Sequence, residues 1–173
     1  MFVCIDGILI QAREAKISVF DHGFLYGDGV YETLRTYGGK VFQLQEHMKR
    51  LESSVRTLGM TDVFDPTKIE QWIEKTVKKN GFKESRIRVQ VTRGQNGFAF
   101  GKAEKMVVVI VVERLKELDE SFYKKGVDVM TVDWARCLPM VKSTSLLPMT
   151  VARQAADKAD CFEAIFVENG WVK

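Results

Sequence analysis

The sequence predicts an α+β protein, with a small N-terminal α/β domain over residues 1–118 and the start of a second, larger α/β domain over residues 119–173. Three observations predict it. Two stretches carry apolar residues at helical spacing, the segments around them alternate apolar with polar residues, and the chain changes character again near Lys142.

The elements follow in order. Phe2 to Cys4 and Ile8 to Ile10 flank Asp6-Gly7, the pattern of a hairpin with a two-residue turn. A glycine-rich stretch, His22 to Gly29, leads into Val30 to Tyr37, which alternates β-prone with polar residues and ends at Gly38-Gly39. Leu44, Met48, Leu51, Val55 and Leu58 recur at helical spacing, with Gly59 at the C′ position. A second helix is capped by Asp65, has Pro66 at its first position, presents Ile69, Trp72, Ile73 and Val77, and ends at Asn80-Gly81.

Strands then return. Ile87, Val89 and Val91 alternate with Arg88, Gln90 and Thr92. Met106 to Val112 is continuously apolar, which predicts a central strand buried on both faces. Glu113 to Lys125 reads as a charged connection with a short exposed helix, and Val127 to Val132 as a strand. Ser145 is placed to cap a helix running to about Ala159, with Pro148 in the first turn, where its missing N–H costs nothing. Glu163 to Val167, Asn169-Gly170 and Trp171 to Lys173 read as strand, turn and strand.

Composition narrows the function classes. Hydrophobic residues make up 46% and charged residues 28%, an ordinary globular balance, and a net charge of +3 is too small to argue for nucleic acid. The N-terminus lacks the basic leader and apolar run of a signal peptide. The longest apolar run is far short of the ~18 residues of a membrane span. Cys4, Cys137 and Cys161 are scattered and odd in number, which argues against a disulfide framework and fits a reducing cytoplasm. With only His22 and His47 to join them, no zinc-ligand spacing is met.

Several residues can carry chemistry, each with a plainer alternative. Lys142 follows Pro139-Met140-Val141, and a poorly solvated ammonium gives up its proton to become a nucleophile. Taken alone, such a lysine is ordinarily a solvated surface charge. Arg50, beside the apolar stripe of the first helix, can hold a phosphate through paired hydrogen bonds, or simply pair with Glu46 one turn earlier. Tyr31, Thr33 and Arg35 share one strand face, which either lines a pocket or meets solvent. Arg88, flanked by Arg86 and Gln90, has the same ambiguity. Glycines 23, 27 and 29 faintly suggest a phosphate loop, without the spacing of a known one.

Taken together, these segments resemble the class IV (fold-type IV) pyridoxal-phosphate aminotransferases, the family of branched-chain and D-amino acid aminotransferases. Phe20 to Glu32, reading F-D-H-G-F-L-Y-G-D-G-V-Y-E, resembles its first motif, and Glu46 to Leu51 its E-H-x-x-R-L helix. Val91-Thr92-Arg93-Gly94 resembles its V-T-R-G strand end, Lys142 to Leu147 its lysine motif, and Glu163-Ala164-Ile165 with Gly170-Trp171-Val172 the hairpin that follows. The resemblance implies a small N-terminal domain followed by a pseudo-barrel domain that binds pyridoxal 5′-phosphate. It implies that Lys142 is the Schiff-base lysine and also the acid and base at the substrate α-carbon. Arg50 then binds the cofactor phosphate, Tyr31 lies near cofactor and substrate, and Arg88 meets a substrate carboxylate. Members of the family continue into an E-G-x-x-S-N segment whose glutamate pairs with the pyridine nitrogen. This sequence closes at Lys173, so the larger domain is expected to be incomplete, and the 173-residue chain alone is expected to bind the cofactor weakly.

The resemblance implies transamination of small amino acids and 2-oxo acids, with branched-chain L-amino acids and 2-oxoglutarate as the first expectation. Gly94 to Gly101 is similar to the apolar, glycine-rich loop of branched-chain enzymes and lacks the R-x-H pair of D-alanine enzymes. Against this, Asp28 to Glu32 also occurs in D-amino acid enzymes, and Arg86 stands where a branched-chain enzyme has tyrosine. D-amino acid aminotransferase and aminodeoxychorismate lyase are the alternatives, and a truncated, non-catalytic chain is the alternative of another class. Family members are homodimers whose pockets borrow a neighbouring loop, a part that Phe24 to Tyr26 or Gly94 to Gly101 can play. No nucleic acid, membrane or metal is expected.

Overall fold

A computed structural model describes residues 1–60, 64–100, 105–135 and 137–172. Gly101 and Lys173 lie outside the described residues. The chain divides into two compact units, Met1–Lys116 with Val141–Thr144, and Glu117–Met140 with Ser145–Lys173.

The first unit opens with the expected hairpin, β1 (Phe2–Ile5) and β2 (Ile8–Gln11). Its turn residues Asp6 and Gly7 have φ of 49° and 84°, the left-handed geometry that matches the twist of the flanking strands. The glycine-rich stretch holds a short helix that composition did not signal, α1 (His22–Tyr26). Asp21 caps it by accepting from the Gly23 N–H, and Gly27 ends it at φ 67°. β3 (Gly29–Tyr37) follows and turns back as the two-residue β4 (Lys40–Val41). The two periodic stripes form α2 (Leu44–Thr57) and α3 (Pro66–Asn80), the latter capped by Asp65 as expected. β5 (Ser85–Thr92) and β6 (Val107–Arg114) complete an antiparallel sheet in the order β2-β1-β6-β5-β3-β4.

α2 lies against β3, and α3 against β6 and β1. The core forms between them. Val30, Leu34, Ile87, Val89 and Ile110 from the sheet meet Leu51, Val55, Ile69 and Ile73 from the helices. At roughly 1.5–3 kcal/mol for each such side chain removed from water, this layer dominates the stability of the unit. The expectation that β6 is buried on both faces is corrected. Val108, Ile110 and Val112 are buried, whereas Val107, Val109 and Val111 on the other face are half-exposed, because α2 and α3 cover only one side of the sheet.

The second unit contains α4 (Glu120–Lys125), β7 (Val129–Asp133), α5 (Leu147–Lys158), β8 (Glu163–Glu168) and β9 (Trp171–Val172). β7 and β8 run parallel, with α5 as part of their crossover, and β9 returns antiparallel through Asn169-Gly170. As expected, α4 is exposed and Pro148 sits in the first turn of α5. The cap of α5 is a correction. The N-cap position falls on Leu146, one residue after Ser145, and the Leu146 side chain makes no cap hydrogen bond.

Candidate active site

The segment 141–144 departs from its sequence neighbours and packs into the first unit. Val141 is 2% exposed and joins the core cluster, which anchors the segment through burial. Hydrogen bonds then stitch it beside the start of β3. The Tyr31 N–H donates to the Lys142 carbonyl at 2.9 Å, the Thr144 N–H to the Gly29 carbonyl at 2.9 Å, and the Thr144 hydroxyl to the Gly27 carbonyl at 2.9 Å. This approach needs glycine at position 29, where a Cβ would come within 2.7 Å of the Val91 carbonyl oxygen and 3.0 Å of Thr144 Oγ1.

The consequence is a cluster around one ring. Lys142 Nζ lies 4.7 Å from the centroid of the Tyr31 ring, and Arg88 Cζ lies 3.9 Å from the same centroid. Arg88 reaches Tyr31 because β3 and β5 pair with Thr33 opposite Arg88 and Tyr31 opposite Gln90, so these residues share a sheet face. Arg88 Nε also donates to Gln90 Oε1 at 3.3 Å. Tyr31 itself is buried at 8% exposure, and Lys142 is half-buried. On this face Arg35 stands opposite Arg86 and stacks on the Tyr37 ring at 3.9 Å.

Arg50 comes from the helix-covered side. It does not pair with Glu46, whose carboxylate takes Lys49 at 2.7 Å. Instead Arg50 Nε and Nη2 donate to the two oxygens of Glu32 at 2.5 and 2.6 Å, and His47 Nδ1 lies 2.9 Å from Glu32 Oε2. Glu32 has no exposed side-chain surface, whereas the Arg50 side chain is 56% exposed. Burial pushes the Glu32 carboxyl up, but the hydrogen bonds from Arg50 and His47 outweigh it and hold the group below the usual carboxylate range. The pairing with Glu32 raises the Arg50 pKa.

Glu32 and His47 were not singled out from the sequence, although a signal existed. Glu32 is in phase with Val30 and Leu34, the core-facing residues of β3, so a carboxylate there must find buried partners. Two further motif residues hold the backbone together. Arg93 pairs with Asp28 at 2.5 Å and donates to the Leu58 carbonyl at 2.8 Å, while Asp21 takes the Thr92 hydroxyl at 2.8 Å. These contacts clasp the glycine-rich stretch to the end of β5. The glycines therefore make close turns and contacts here.

A lysine and a guanidinium on one tyrosine ring suit a ligand that offers an aldehyde at one end and an anionic group at another. Among the described residues there is no cluster of metal-ligating side chains, and no helix is long and apolar enough to cross a membrane.

Comparisons with known proteins bear on this arrangement. A family model described as Amino-transferase class IV matches residues 29–171. A D-alanine aminotransferase of Bacillus licheniformis is 30% identical over 179 residues, an alignment that takes in 99% of this chain and 62% of that protein. A putative branched-chain-amino-acid aminotransferase of Methanocaldococcus jannaschii is 30% identical over 180 residues, taking in 98% of this chain and 60% of that protein. The branched-chain aminotransferase of Thermoproteus uzoniensis, solved with norvaline, superposes with a TM-score of 0.84 at 27% identity, over 98% of this chain and 60% of that one. The chain spans about three fifths of the length of these proteins.

Proposed function

Since the chain belongs to the class IV aminotransferase family, we propose that it carries the lysine-bearing part of a pyridoxal 5′-phosphate-dependent transaminase site. In this reading the first unit is the small domain and the second begins the large, cofactor-binding one. Lys142 holds the cofactor through its amine, Arg50 holds the cofactor phosphate, Tyr31 lies against cofactor and substrate, and Arg88 receives a substrate carboxylate. The observation that carries the reading is the convergence of Lys142 and Arg88 on the Tyr31 ring.

When bound, pyridoxal 5′-phosphate supplies the aldehyde that exchanges amines and the electron sink that stabilises negative charge at the substrate α-carbon. The protein's part is positional and acid–base. The Lys142 amine must be free of its proton to act as nucleophile, and once displaced it is the group that takes and returns the α-proton. The Tyr31 ring beneath Nζ limits where that amine can move, and Arg88, stacked on the same ring, orients the carboxylate.

The donor is proposed to be a branched-chain L-amino acid, with 2-oxoglutarate as acceptor. Phe98 and Phe100 support this, being large, exposed and apolar where D-alanine enzymes have R-x-H. The second reading, a D-amino acid donor, is favoured by the D-alanine aminotransferase relative and by the G-D-G-V-Y-E stretch. A homodimer in the cytoplasm accompanies either reading.

Borohydride reduction in the presence of pyridoxal 5′-phosphate, followed by peptide mapping, tests the assignment. Label on Lys142, absent from Lys142→Ala, is the expected result, and label elsewhere would overturn it. Lys142→Ala is also expected to lower the transamination rate by roughly 10²–10⁴-fold through the lost acid–base group alone. A panel of L-leucine, L-glutamate and D-alanine separates the donors, and amino transfer from D-alanine alone would replace the first reading with the second.

A further inference from the structure

Glu32 poses a question that the proposed chemistry leaves open. It is a carboxylate with no exposed side-chain surface, on the face of β3 that meets α2. Charged groups buried in this way are costly, and a well-packed apolar residue is often as stable at such a position. What Glu32 has that an apolar residue lacks is geometry. Its two oxygens take the Nε and Nη2 edge of Arg50 at 2.5 and 2.6 Å, and Oε2 also meets His47 Nδ1 at 2.9 Å. His47 and Arg50 lie three residues apart on α2, so one helical face delivers both donors to one carboxylate.

This fork-to-fork pairing fixes the plane of the guanidinium. It consumes one edge and leaves Nη1 and the remaining Nη2 hydrogen for another acceptor. An unpaired arginine on an exposed helix face samples many rotamers, and an anion that binds it must first restrict them. Arg50 remains 56% exposed, so burial of its own side chain does not hold it still.

We propose that Glu32, braced by His47, is a positioning residue that locks Arg50 so that its outer edge is preorganised for the cofactor phosphate. The proposal rests on the reading of Arg50 as the phosphate holder. It explains why the helix motif pairs a histidine with an arginine three residues on: both serve the same acceptor on the neighbouring strand.

The test compares two ligands that share an aldehyde and differ in the phosphate, namely pyridoxal 5′-phosphate and pyridoxal. Equilibrium dialysis against the full chain gives both dissociation constants. Glu32→Gln is expected to weaken pyridoxal 5′-phosphate by about three- to tenfold, the cost of ordering one long side chain on binding, and to leave pyridoxal unchanged. His47→Ala is expected to move the same ratio by less. In an Arg50→Ala background, Glu32→Gln is expected to have no further effect on the ratio. Equal weakening of both ligands, or a fall in melting temperature with the ratio intact, would mean that Glu32 only holds the fold and would overturn the proposal. If Glu32→Gln does not fold, His47→Ala alone decides by the same ratio. A wild-type protein that binds both ligands equally would overturn the assignment of Arg50 and the proposal with it. A wild-type preference lost in Arg50→Ala but kept in Glu32→Gln would overturn the role of Glu32 alone.

Discussion

Glu32 and Tyr31 are neighbours on β3 and point to opposite faces of one sheet, and the two faces keep polar groups in place by different means. On the side covered by α2, Glu32 is wholly buried and its oxygens are taken by Arg50 and His47. On the other side, Tyr31 is held under Arg88 and Lys142 by ring contacts, and the strand residues around it stay half-exposed. A covered face fixes a charge by denying it water, so every partner is needed. An open face fixes a charge by stacking, which is weaker per contact and leaves the group able to move. In the site proposed above, the phosphate anchor would draw on the first property, and the lysine and arginine that exchange partners would draw on the second.

The covered face should therefore be the more expensive to disturb. Glu32→Ala strips Arg50 and His47 of their shared acceptor and leaves a void in the helix layer. The expected cost is about 3 kcal/mol, the low end for breaking a buried pair, because Arg50 can turn to water. Urea denaturation measures it, and a loss below ~1 kcal/mol would erase the contrast between the faces. The same group gives a pH signature. Its carboxyl is held below the ordinary value, so its contribution is present above the unfolded pKa of about 4.3 and is lost as the pH falls through the folded one. The stability difference between wild type and Glu32→Gln should shrink as the solution is taken below about pH 4.

Much of this was legible in the residues. Helical spacing located α2 and α3, Asp65 with Pro66 marked the start of α3, and strand alternation located β5. The missed features share a cause: each depends on a partner distant in sequence. Arg50 has an acidic residue at i−4, yet Glu46 is exposed on the helix while Glu32, on another element, offers a dry bidentate acceptor. Ser145 looks like a cap, but the segment before it is drawn to β3 by Thr144 and Lys142, and the helix begins later, behind Leu146. The apolar run of β6 cannot tell by itself that helices cover only one of its faces. Of the candidate site, Lys142, Arg50, Tyr31 and Arg88 were singled out. The grouping of Lys142 and Arg88 around the Tyr31 ring needed the register of β3 with β5 and the return of residues 141–144.

A substitution at the seam between the two faces sharpens the comparison at intermediate cost. Gly29→Ala would press a methyl group against the Val91 carbonyl and the Thr144 hydroxyl, and neither backbone can retreat without loosening the pairing of β3. An overpacked site of this kind costs about 1–3 kcal/mol. The displacement falls on the segment that carries Lys142, so borohydride labelling of Lys142 should fall more than the melting temperature does. A variant with lowered stability and undiminished labelling would show that the segment does not depend on close approach at Gly29.

Arg88 supplies the smallest expected effect on stability and the clearest separation of structure from chemistry. Arg88→Ala removes one stacking contact with Tyr31 and one hydrogen bond to Gln90, whose half-exposed amide can turn to water. The stacking is worth about 0.5–1 kcal/mol at such a site, near the limit of a denaturation measurement. If Arg88 receives the substrate carboxylate, the same change removes a charge-assisted bond worth roughly 1.5–3 kcal/mol, and KM for the amino acid should rise about ten- to a hundredfold. Arg88→Lys should retain part of that binding, because the charge persists, but lose the flat contact with Tyr31. Equal, small changes in KM and stability for Arg88→Ala would reduce Arg88 to a surface residue leaning on a tyrosine. The open face would then owe its chemistry to Lys142 and Tyr31 without an arginine partner.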